Sequence, residues 1–355
     1  MTANSGPSTH DEAGPTGVAA KESVASPAGG APPGNGRVPD FFIVGHHKCG
    51  TTALHQMLRS HPQIYMPELK EPRFFASDLI TPTDGRTLKQ ARASTPLPAT
   101  REEYLALFED ALPDQRMGEA TALYLMSNVA ADEIAQMQPR ARIIALLREP
   151  TSYLRSLHLQ HLQTHGETVT SFRKAIELEP ARREGRHLPR NCVRPQRLLY
   201  SERVRYVEQL RRFHAAFPRE QVLVLIYEDF RRDNRATVRE ILRFLEVDDE
   251  FEVDMREANP TVLVRPRVEQ RLKTAFAGSG PVSRRVRASI ERLTPEPVRA
   301  KAVQAVMRTL VESKPPPPDE EFMAGLRRRF KPEVVAVSEY LGRDLVSLWG
   351  YDALD

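Results

Sequence analysis

The sequence predicts an α/β fold, a P-loop-like three-layer structure with a central, mainly parallel sheet flanked by helices. Apolar runs at 41–44, 141–147 and 221–226 are typical of buried parallel strands, and segments with helical periodicity follow them. Strands that alternate with helices in this way form a parallel sheet covered on both faces. We therefore expect a ligand crevice at the carboxyl ends of the strands.

Two regions differ in composition. Residues 1–40 are rich in Ala, Gly, Pro and Ser and contain no aromatic residue, Leu or Ile. Such a segment cannot bury enough apolar surface to offset the entropy lost on ordering, so we predict a disordered tail. Residues 41–355 are long enough for a sizeable core and are expected to form one enzyme domain.

The first apolar run leads into residues 45–52, which read GHHKCGTT. A strand, a loop bounded by glycines and a helix that starts at Thr51 direct backbone N–H groups and the helix dipole at one point, which favours a phosphate. A nucleoside-triphosphate P-loop has its lysine directly after the second glycine, whereas Lys48 lies inside this loop. Taken alone, the segment is also compatible with an ordinary turn that exposes a lysine.

A second candidate anion site follows the run at 141–147. Arg148 stands at the carboxyl end of that predicted strand, and Ser156 comes eight residues later. Arg148 alone could be a solvated charge at a strand end. Next to the Lys48 loop it favours a phosphate site, because a guanidinium offers the bidentate fork that a phosphate dianion accepts.

These segments resemble motifs of sulfotransferases that use 3′-phosphoadenosine 5′-phosphosulfate (PAPS), in particular bacterial and heparan- or carbohydrate-type members. The pattern G-x-x-K-x-G-T-T-x-L is similar to the family's 5′-phosphosulfate loop, and residues 148–156 are similar to its 3′-phosphate motif. Glu149 replaces the usual Asp and Tyr153 the usual second Arg. Residues 67–75, PELKEPRFF, resemble a K-E-P-x-F-F signature. The resemblance covers roughly residues 40–350.

The resemblance implies a PAPS donor and transfer of its sulfuryl group to a hydroxyl or amine of a small-molecule or carbohydrate acceptor. It implies contacts from Lys48 to the bridging oxygen and sulfuryl group, and from Arg148 and Ser156 to the 3′-phosphate. The 5′-phosphate would lie against the rest of the loop, which comprises Cys49, Gly50, Thr51 and Thr52. No metal is expected, because lysine and the helix dipole supply the positive field.

Glu71 is the candidate general base, since a carboxylate within reach of the acceptor can take its proton. An alternative with equal weight is a local ion pair between Lys70 and Glu71 that holds the turn before Pro72. Tyr200 is the candidate adenine contact, in a segment that resembles the family's G-x-Y-x-x-x-[IL] helix without its glycine. The alternative is a core tyrosine with a satisfied hydroxyl.

The family's basic loop over the 3′-phosphate has no counterpart here, and Arg265 or Arg267 is a possible substitute. Cys49 lies in the anion loop, where its pKa could be lowered. We interpret it as a spacer rather than a nucleophile.

Composition limits which other classes of protein the chain could belong to. The formal net charge of +4 and pI near 9.1 suit an anionic nucleotide donor, but no nucleic-acid motif is recognisable, so no nucleic-acid partner is expected. Two cysteines exclude a disulfide framework and suit a cytoplasmic location. Neither a secretory signal nor a run of roughly 20 apolar residues is present. Nothing in the sequence specifies an oligomeric state.

Three other interpretations were weighed. His158, His161 and His165 share a helical spacing that suggests a metal, but no carboxylate joins them, which favours surface or substrate-lining histidines. A P-loop kinase would use Asp229 as a magnesium ligand, although the position of Lys48 counts against it. An inactive nucleotide-binding homologue is the third.

Overall fold

The computed structural model describes residues 37–80, 97–189, 192, 194–252, 263–264, 312–313 and 317–354. Residues 1–36 of the predicted disordered tail lie outside the described residues, and so do Arg265 and Arg267.

The central sheet has five strands in the order β2-β3-β1-β4-β5, and every pairing in it is parallel. The predicted α/β class with a mainly parallel sheet is therefore confirmed. Its strands are β1 (Phe41–Gly45), β2 (Ile64–Tyr65), β3 (Arg116–Ala120), β4 (Arg142–Leu147) and β5 (Val222–Ile226). A separate antiparallel pair consists of β6 (Leu263–Val264) and β7 (Glu312–Ser313).

Helices connect the strands and cover the sheet. The α-helices of the described residues are α1 (Thr51–Arg59), α2 (Ser77–Ile80), α3 (Arg101–Ala106), α4 (Ala130–Met137), α5 (Pro150–Gln163), α6 (Phe172–Glu177), α7 (Glu179–Arg183), α8 (Tyr206–Ala216), α9 (Tyr227–Arg232), α10 (Asn234–Leu245), α11 (Glu320–Leu341) and α12 (Leu345–Leu348). Short 3₁₀ segments span Ala122–Met126, Pro195–Leu198, Tyr200–Val204 and Arg219–Gln221. None of the helices described is both long enough and apolar enough to cross a bilayer.

Local sequence signals explain several helix starts. Thr100 and Glu103 form a reciprocal capping box at the start of α3, and the Asp319 carboxylate accepts from the Phe322 N–H at the start of α11. Each cap satisfies N–H groups that a helix terminus leaves unpaired.

The core centres on β1 and β4, where Phe41, Phe42 and Ile144 are fully buried. Both faces of these strands are covered, which accounts for their continuous apolar sequences. The C-terminal segment returns to the body of the domain, because the Trp349 indole N–H donates to Glu228 Oε2 at 2.9 Å. The Tyr351 hydroxyl likewise donates to Glu149 Oε1, so the C-terminal segment contacts the loops that follow β4 and β5.

Candidate active site

The phosphate loop connects β1 to α1 through a strongly curved backbone. Lys48 has φ of 68° and Gly50 has φ of 89°, both in the left-handed region. A Cβ at Gly50 would lie 2.9 Å from Phe230 Cε1, so the position requires glycine. No side chain caps the N-terminus of α1. Its first backbone N–H groups are therefore available to an anion, as the sequence predicts.

Lys48 and Arg148 meet across the sheet edge. Arg148 Nη1 donates to the Lys48 carbonyl at 2.8 Å, and its guanidinium lies over the Tyr227 ring, 4.6 Å from the centroid. Burial, followed by the charge of Arg148, lowers the pKa of Lys48. Within the described residues the Lys48 ammonium makes no hydrogen bond. Two positive groups therefore converge without a carboxylate to neutralise Lys48.

Arg148 and Ser156 border a cavity of about 430 Å³ between α5 and α11. The Ser156 hydroxyl and Arg148 Nε are buried there and have no hydrogen-bond partner among the described residues. Leaving such groups unpaired is unfavourable, and a phosphate would satisfy both. The groups that the structure leaves unsatisfied therefore suit a phosphate.

Two further arginines line this cavity and were missed in the sequence. Arg155 comes from α5, and Arg327 comes from α11 with its Nε also lacking a partner among the described residues. Helical spacing could have identified Arg155, because Ser152, Arg155 and Ser156 lie on one face of α5. Nothing local could have identified Arg327, which lies more than 170 residues along the chain from Arg148. The cavity also contains the Glu320 carboxylate.

Glu71 follows the short β2 segment and has a left-handed backbone with φ of 59°. Its N–H donates to the Ala120 carbonyl at 3.0 Å, which fixes it beside the end of β3. Its carboxylate lies 2.9 Å from Arg73 Nη2, 3.2 Å from Lys70 Nζ and 3.4 Å from His47 Nε2. The Lys70–Glu71 pair of the alternative interpretation is thus present, beside the contacts from Arg73 and His47.

These contacts determine how Glu71 ionises. Burial by itself would raise its pKa, but the hydrogen bond to His47 and the charges of Lys70 and Arg73 outweigh burial and lower the pKa well below the usual range. The carboxylate is therefore ionised at physiological pH and is a weak proton acceptor. Its contact with His47 provides a second group through which a proton could pass.

Glu71 and His47 open onto a second cavity of about 550 Å³ on the other side of α5. The cavity reaches the α5 side chains Leu157, Gln160 and His161. Its volume suits a small-molecule or sugar acceptor. The two cavities therefore separate the groups assigned to donor and acceptor.

The other loop residues are structural. His46 is buried, its Nε2 lies 2.8 Å from Gln209 Oε1, and burial lowers its pKa to about 3. The expected lowering of the Cys49 pKa is wrong, because burial in the core raises it to about 12. The thiol therefore remains protonated, and it donates to the His47 carbonyl of the loop at 3.8 Å.

Tyr200 lies in the core and on the wall of neither cavity. It is fully buried, and its hydroxyl donates to Glu167 Oε2 at 3.2 Å. Glu167 in turn forms a buried ion pair with Arg182 at 2.8 Å. This geometry corresponds to the alternative of a core tyrosine with a satisfied hydroxyl.

Two of the groups considered as metal ligands, Asp229 and His158, have other partners. Glu228 accepts hydrogen bonds from the Glu149 N–H and the Trp349 indole, and Asp229 pairs with Arg232. His158 Nε2 lies 2.8 Å from the Val169 carbonyl. In the part of the chain that the structure describes, no group of three His, Cys, Asp or Glu side chains could hold a metal ion.

Glu119 supports the acceptor side and was not predicted as a site residue. It is fully buried on β3 and accepts hydrogen bonds from the hydroxyls of Tyr104, Tyr124 and Thr121. Burial raises its pKa to about 7 despite these three donors. Because Thr121 also accepts from the Arg73 N–H at 3.3 Å, Glu119 is linked to the segment that carries Glu71.

This raised pKa predicts a pH dependence of stability. The folded state retains the Glu119 proton between pH 4.5 and about 7, where an unfolded glutamate loses it, so stability decreases as pH rises through this window. Across this whole pH window, the free energy of unfolding decreases by about 3 kcal/mol through Glu119. We expect Glu119→Gln to lose less stability than the wild type between pH 5 and 8 in urea denaturation. The exposed Glu109→Gln is the control, and parallel curves for wild type and Glu119→Gln would contradict the assignment.

Comparison with known proteins agrees with this geometry. A sulfotransferase from Alicyclobacillus acidocaldarius is 28% identical, with a TM-score of 0.53, and the match covers 70% of this chain and 96% of that one. Human carbohydrate sulfotransferase 15 is 26% identical over a match that covers 59% of this chain and 44% of that protein. Human bifunctional heparan sulfate N-deacetylase/N-sulfotransferase 3 is also 26% identical, over 59% of this chain and 22% of its own length.

The chain thus spans less than half the length of these two curated relatives. A profile of the Sulfotransferase family matches residues 39–251, which is more than half of the chain. The match begins just before β1 and ends after α10, so it includes all five strands of the central sheet. The chain belongs to the sulfotransferase family.

Proposed function

We propose that this chain transfers a sulfuryl group from PAPS to a hydroxyl or amine of a small-molecule or carbohydrate acceptor. The observation that carries the proposal is the hydrogen bond between Arg148 and the Lys48 carbonyl. It joins the phosphate loop to the cavity that contains the unsatisfied Ser156 hydroxyl. The two anion sites thereby match a nucleotide with phosphate groups at both its 5′ and 3′ positions.

The loop and the cavity have different roles in donor binding. Backbone N–H groups of Gly50, Thr51 and Thr52 would hold the 5′-phosphate at the start of α1. Arg148 and Ser156 would hold the 3′-phosphate. PAPS supplies the activated sulfuryl group and leaves as 3′,5′-adenosine bisphosphate.

Lys48 provides the electrostatic contribution. Its ammonium is half-buried and unpaired within the described residues, so it can stabilise negative charge on the departing bisphosphate without first breaking another contact. The adjacent Arg148 adds to the positive field. This arrangement requires no movement of charge into the site during the reaction.

The acceptor side is assigned to the cavity that contains Glu71 and His47. An acceptor hydroxyl or amine loses a proton as it forms the new bond to sulfur, and this pair can receive it. Glu71 is ionised and can take the proton directly, but its lowered pKa makes it a weak base. We therefore propose that Glu71 acts either as the proton acceptor or by positioning His47 to accept the proton. The names of the two human relatives refer to carbohydrate and heparan sulfate, which supports a carbohydrate acceptor.

The direct test is turnover with PAPS that carries radiolabelled sulfur. The purified protein is incubated with sugars, phenols and amines, and labelled products and 3′,5′-adenosine bisphosphate are quantified. The kinase alternative predicts instead magnesium-dependent consumption of ATP. An inactive homologue would bind the bisphosphate and give no labelled product with any acceptor.

Donor selectivity is a separate prediction. Calorimetry should show that 3′,5′-adenosine bisphosphate binds more tightly than adenosine 5′-monophosphate by ~1.5–3 kcal/mol or more, because only the bisphosphate engages the charged 3′ site. Ser156→Ala and Arg327→Met should each reduce the difference in binding free energy between the two nucleotides. Arg186→Met, an exposed arginine that lines neither cavity, is the control. Equal affinities of the wild type for the two nucleotides would rule out the 3′-phosphate assignment.

We also propose that the protein acts in the cytoplasm. Both cysteines, Cys49 and Cys192, are free thiols, as suits a reducing compartment. Fractionation of the native host with an antibody against the protein would test this location, and recovery outside the cytoplasmic fraction would contradict it.

A further inference from the structure

Arg203 is a buried cation without an acidic partner on the wall of the acceptor cavity. It belongs to the 3₁₀ segment Tyr200–Val204 and is only 4% exposed. Its Nη1 donates to Met126 Sδ, and its Nη2 donates to the Arg197 carbonyl at 3.4 Å. Its Nε is buried and has no partner among the described residues. A charge buried in this way is unfavourable unless an anion compensates it.

The carboxylates of the cavity do not compensate Arg203, because each has another partner. Glu202 pairs with Arg183, and Glu208 pairs with Arg205 and Arg212. Glu71 and Asp78 are also engaged. Glu71 contacts Lys70, Arg73 and His47, and Asp78 accepts from the Ser127 hydroxyl and the Asn128 N–H. Within the described residues, no carboxylate lies within ion-pairing distance of Arg203.

Further groups that can donate to an anion surround Arg203. Arg197 lines the same cavity, and its guanidinium has no hydrogen bond or ion pair within the described chain. His161 Nε2 is buried there and lacks a partner among the described residues. Burial, followed by the charges of Arg203 and Arg197, lowers the pKa of His161 to about 2, and a hydrogen bond to the Arg197 backbone opposes this lowering. The imidazole is therefore neutral and carries one N–H.

We propose that Arg203, Arg197 and His161 bind an oxyanion of the acceptor, so that the acceptor class is acidic: a molecule with a carboxylate, sulfate or phosphate group in addition to the group that becomes sulfated. This inference rests on the proposed function for the identity of the reaction. An oxyanion would accept from Arg203 Nε and from the Arg197 guanidinium, which have no acceptor among the described residues, beside the unpartnered Nε2 of His161. Two guanidinium groups match such an oxyanion in geometry and charge.

The donor is a poor candidate for the same anion site. The side chains assigned to its 3′-phosphate, Arg148 and Ser156, border the other cavity, whereas His161 and Gln160 border this one. Helix α5 separates the two sets. His47 and Glu71 also face the cavity of Arg203, so an acceptor anchored there would be exposed to the proposed proton acceptor.

Matched probes test the proposal by binding. Glucuronate, glucose 6-sulfate and glucose 6-phosphate are each compared with glucose by calorimetry and by the shift in unfolding midpoint, with and without saturating 3′,5′-adenosine bisphosphate. We expect at least one anionic sugar to bind about 10- to 100-fold more tightly than glucose, the scale of one or two charge-assisted hydrogen bonds. The anionic sugar that binds identifies the source of the oxyanion.

Variants then connect binding to the cavity. Arg203→Met and Arg197→Gln should each remove most of the preference for the anionic sugar and leave bisphosphate affinity unchanged, while Arg186→Gln should change neither. Without anions, Arg203→Met should keep or raise the unfolding midpoint, because it removes an uncompensated buried charge. A markedly lower midpoint would indicate that Arg203 is only structural and would overturn the proposal.

Other outcomes are also decisive. The proposal would be overturned if anionic and neutral sugars bound with equal affinity, or if neither kind of sugar bound. It would also be overturned if Arg203→Met and Arg197→Gln both kept the preference for the anionic sugar. Inorganic sulfate that binds as tightly as the anionic sugars would show a site for free anions rather than for an acceptor. If the wild type did not bind 3′,5′-adenosine bisphosphate, the proposed function would be contradicted. This outcome is distinguishable from failure of the acidic-acceptor proposal, because sugar binding is also measured without the nucleotide.

Discussion

Replacement of Lys48 with alanine is expected to lower kcat for sulfuryl transfer by about 10²–10³-fold, the range observed when one preorganised electrostatic donor is removed. The Lys48 ammonium has no hydrogen-bond partner in the described structure, so its removal leaves no protein group unpaired. The fold should therefore survive. Single-turnover transfer from PAPS and the unfolding midpoint measure the two effects separately.

The matched control is Lys174→Ala, which removes a lysine that is 59% exposed and pairs only with Glu177. Its activity should equal that of the wild type. Added magnesium should not restore turnover to Lys48→Ala, because the missing contribution is a fixed cation in the loop rather than a metal site. A Lys48→Ala protein with near-normal kcat would show that the loop only connects β1 to α1.

Glu71→Gln is expected to lower kcat by about 10²–10⁴-fold, since glutamine keeps the shape of the side chain and cannot accept a proton. Bisphosphate affinity should remain close to that of the wild type, because Glu71 faces the acceptor cavity. Calorimetry with 3′,5′-adenosine bisphosphate and single-turnover kinetics would be measured on the same preparation. Unchanged kcat with an altered unfolding midpoint would assign Glu71 to the ion-pair cluster alone.

A second variant distinguishes the two ways in which Glu71 could act. If His47 takes the proton and Glu71 positions the His47 ring, His47→Gln should lower kcat as strongly as Glu71→Gln. Any decrease of kcat at low pH in the wild type should then be absent from the pH profile of His47→Gln. If Glu71 takes the proton itself, its lowered pKa predicts no loss of kcat as the pH falls towards 4.5. Lys70→Met removes one of the two cations, Lys70 and Arg73, that contact Glu71, and it should lower kcat less than either Glu71→Gln or His47→Gln.

The sequence by itself was sufficient for the local features of this protein. The three main strands were recognisable because strands covered on both faces need continuous apolar residues. The helix start at Thr51 and the caps at Thr100 and Asp319 were recognisable because such signals lie within four residues of the groups that they satisfy. Candidate anion-binding residues at 48, 148 and 156 could be proposed for the same reason, as each belongs to a short motif.

Only the tertiary structure decided which residues face one another. It placed the Arg148 guanidinium on the Lys48 carbonyl, and it buried Tyr200 with its hydroxyl on Glu167. The raised pKa of Cys49 and the unpaired charge of Arg203 follow from burial by segments distant in sequence. Burial and electrostatic environment depend on every atom within several ångströms, whichever part of the chain supplies it, and the periodicity of a short segment contains no information about those atoms.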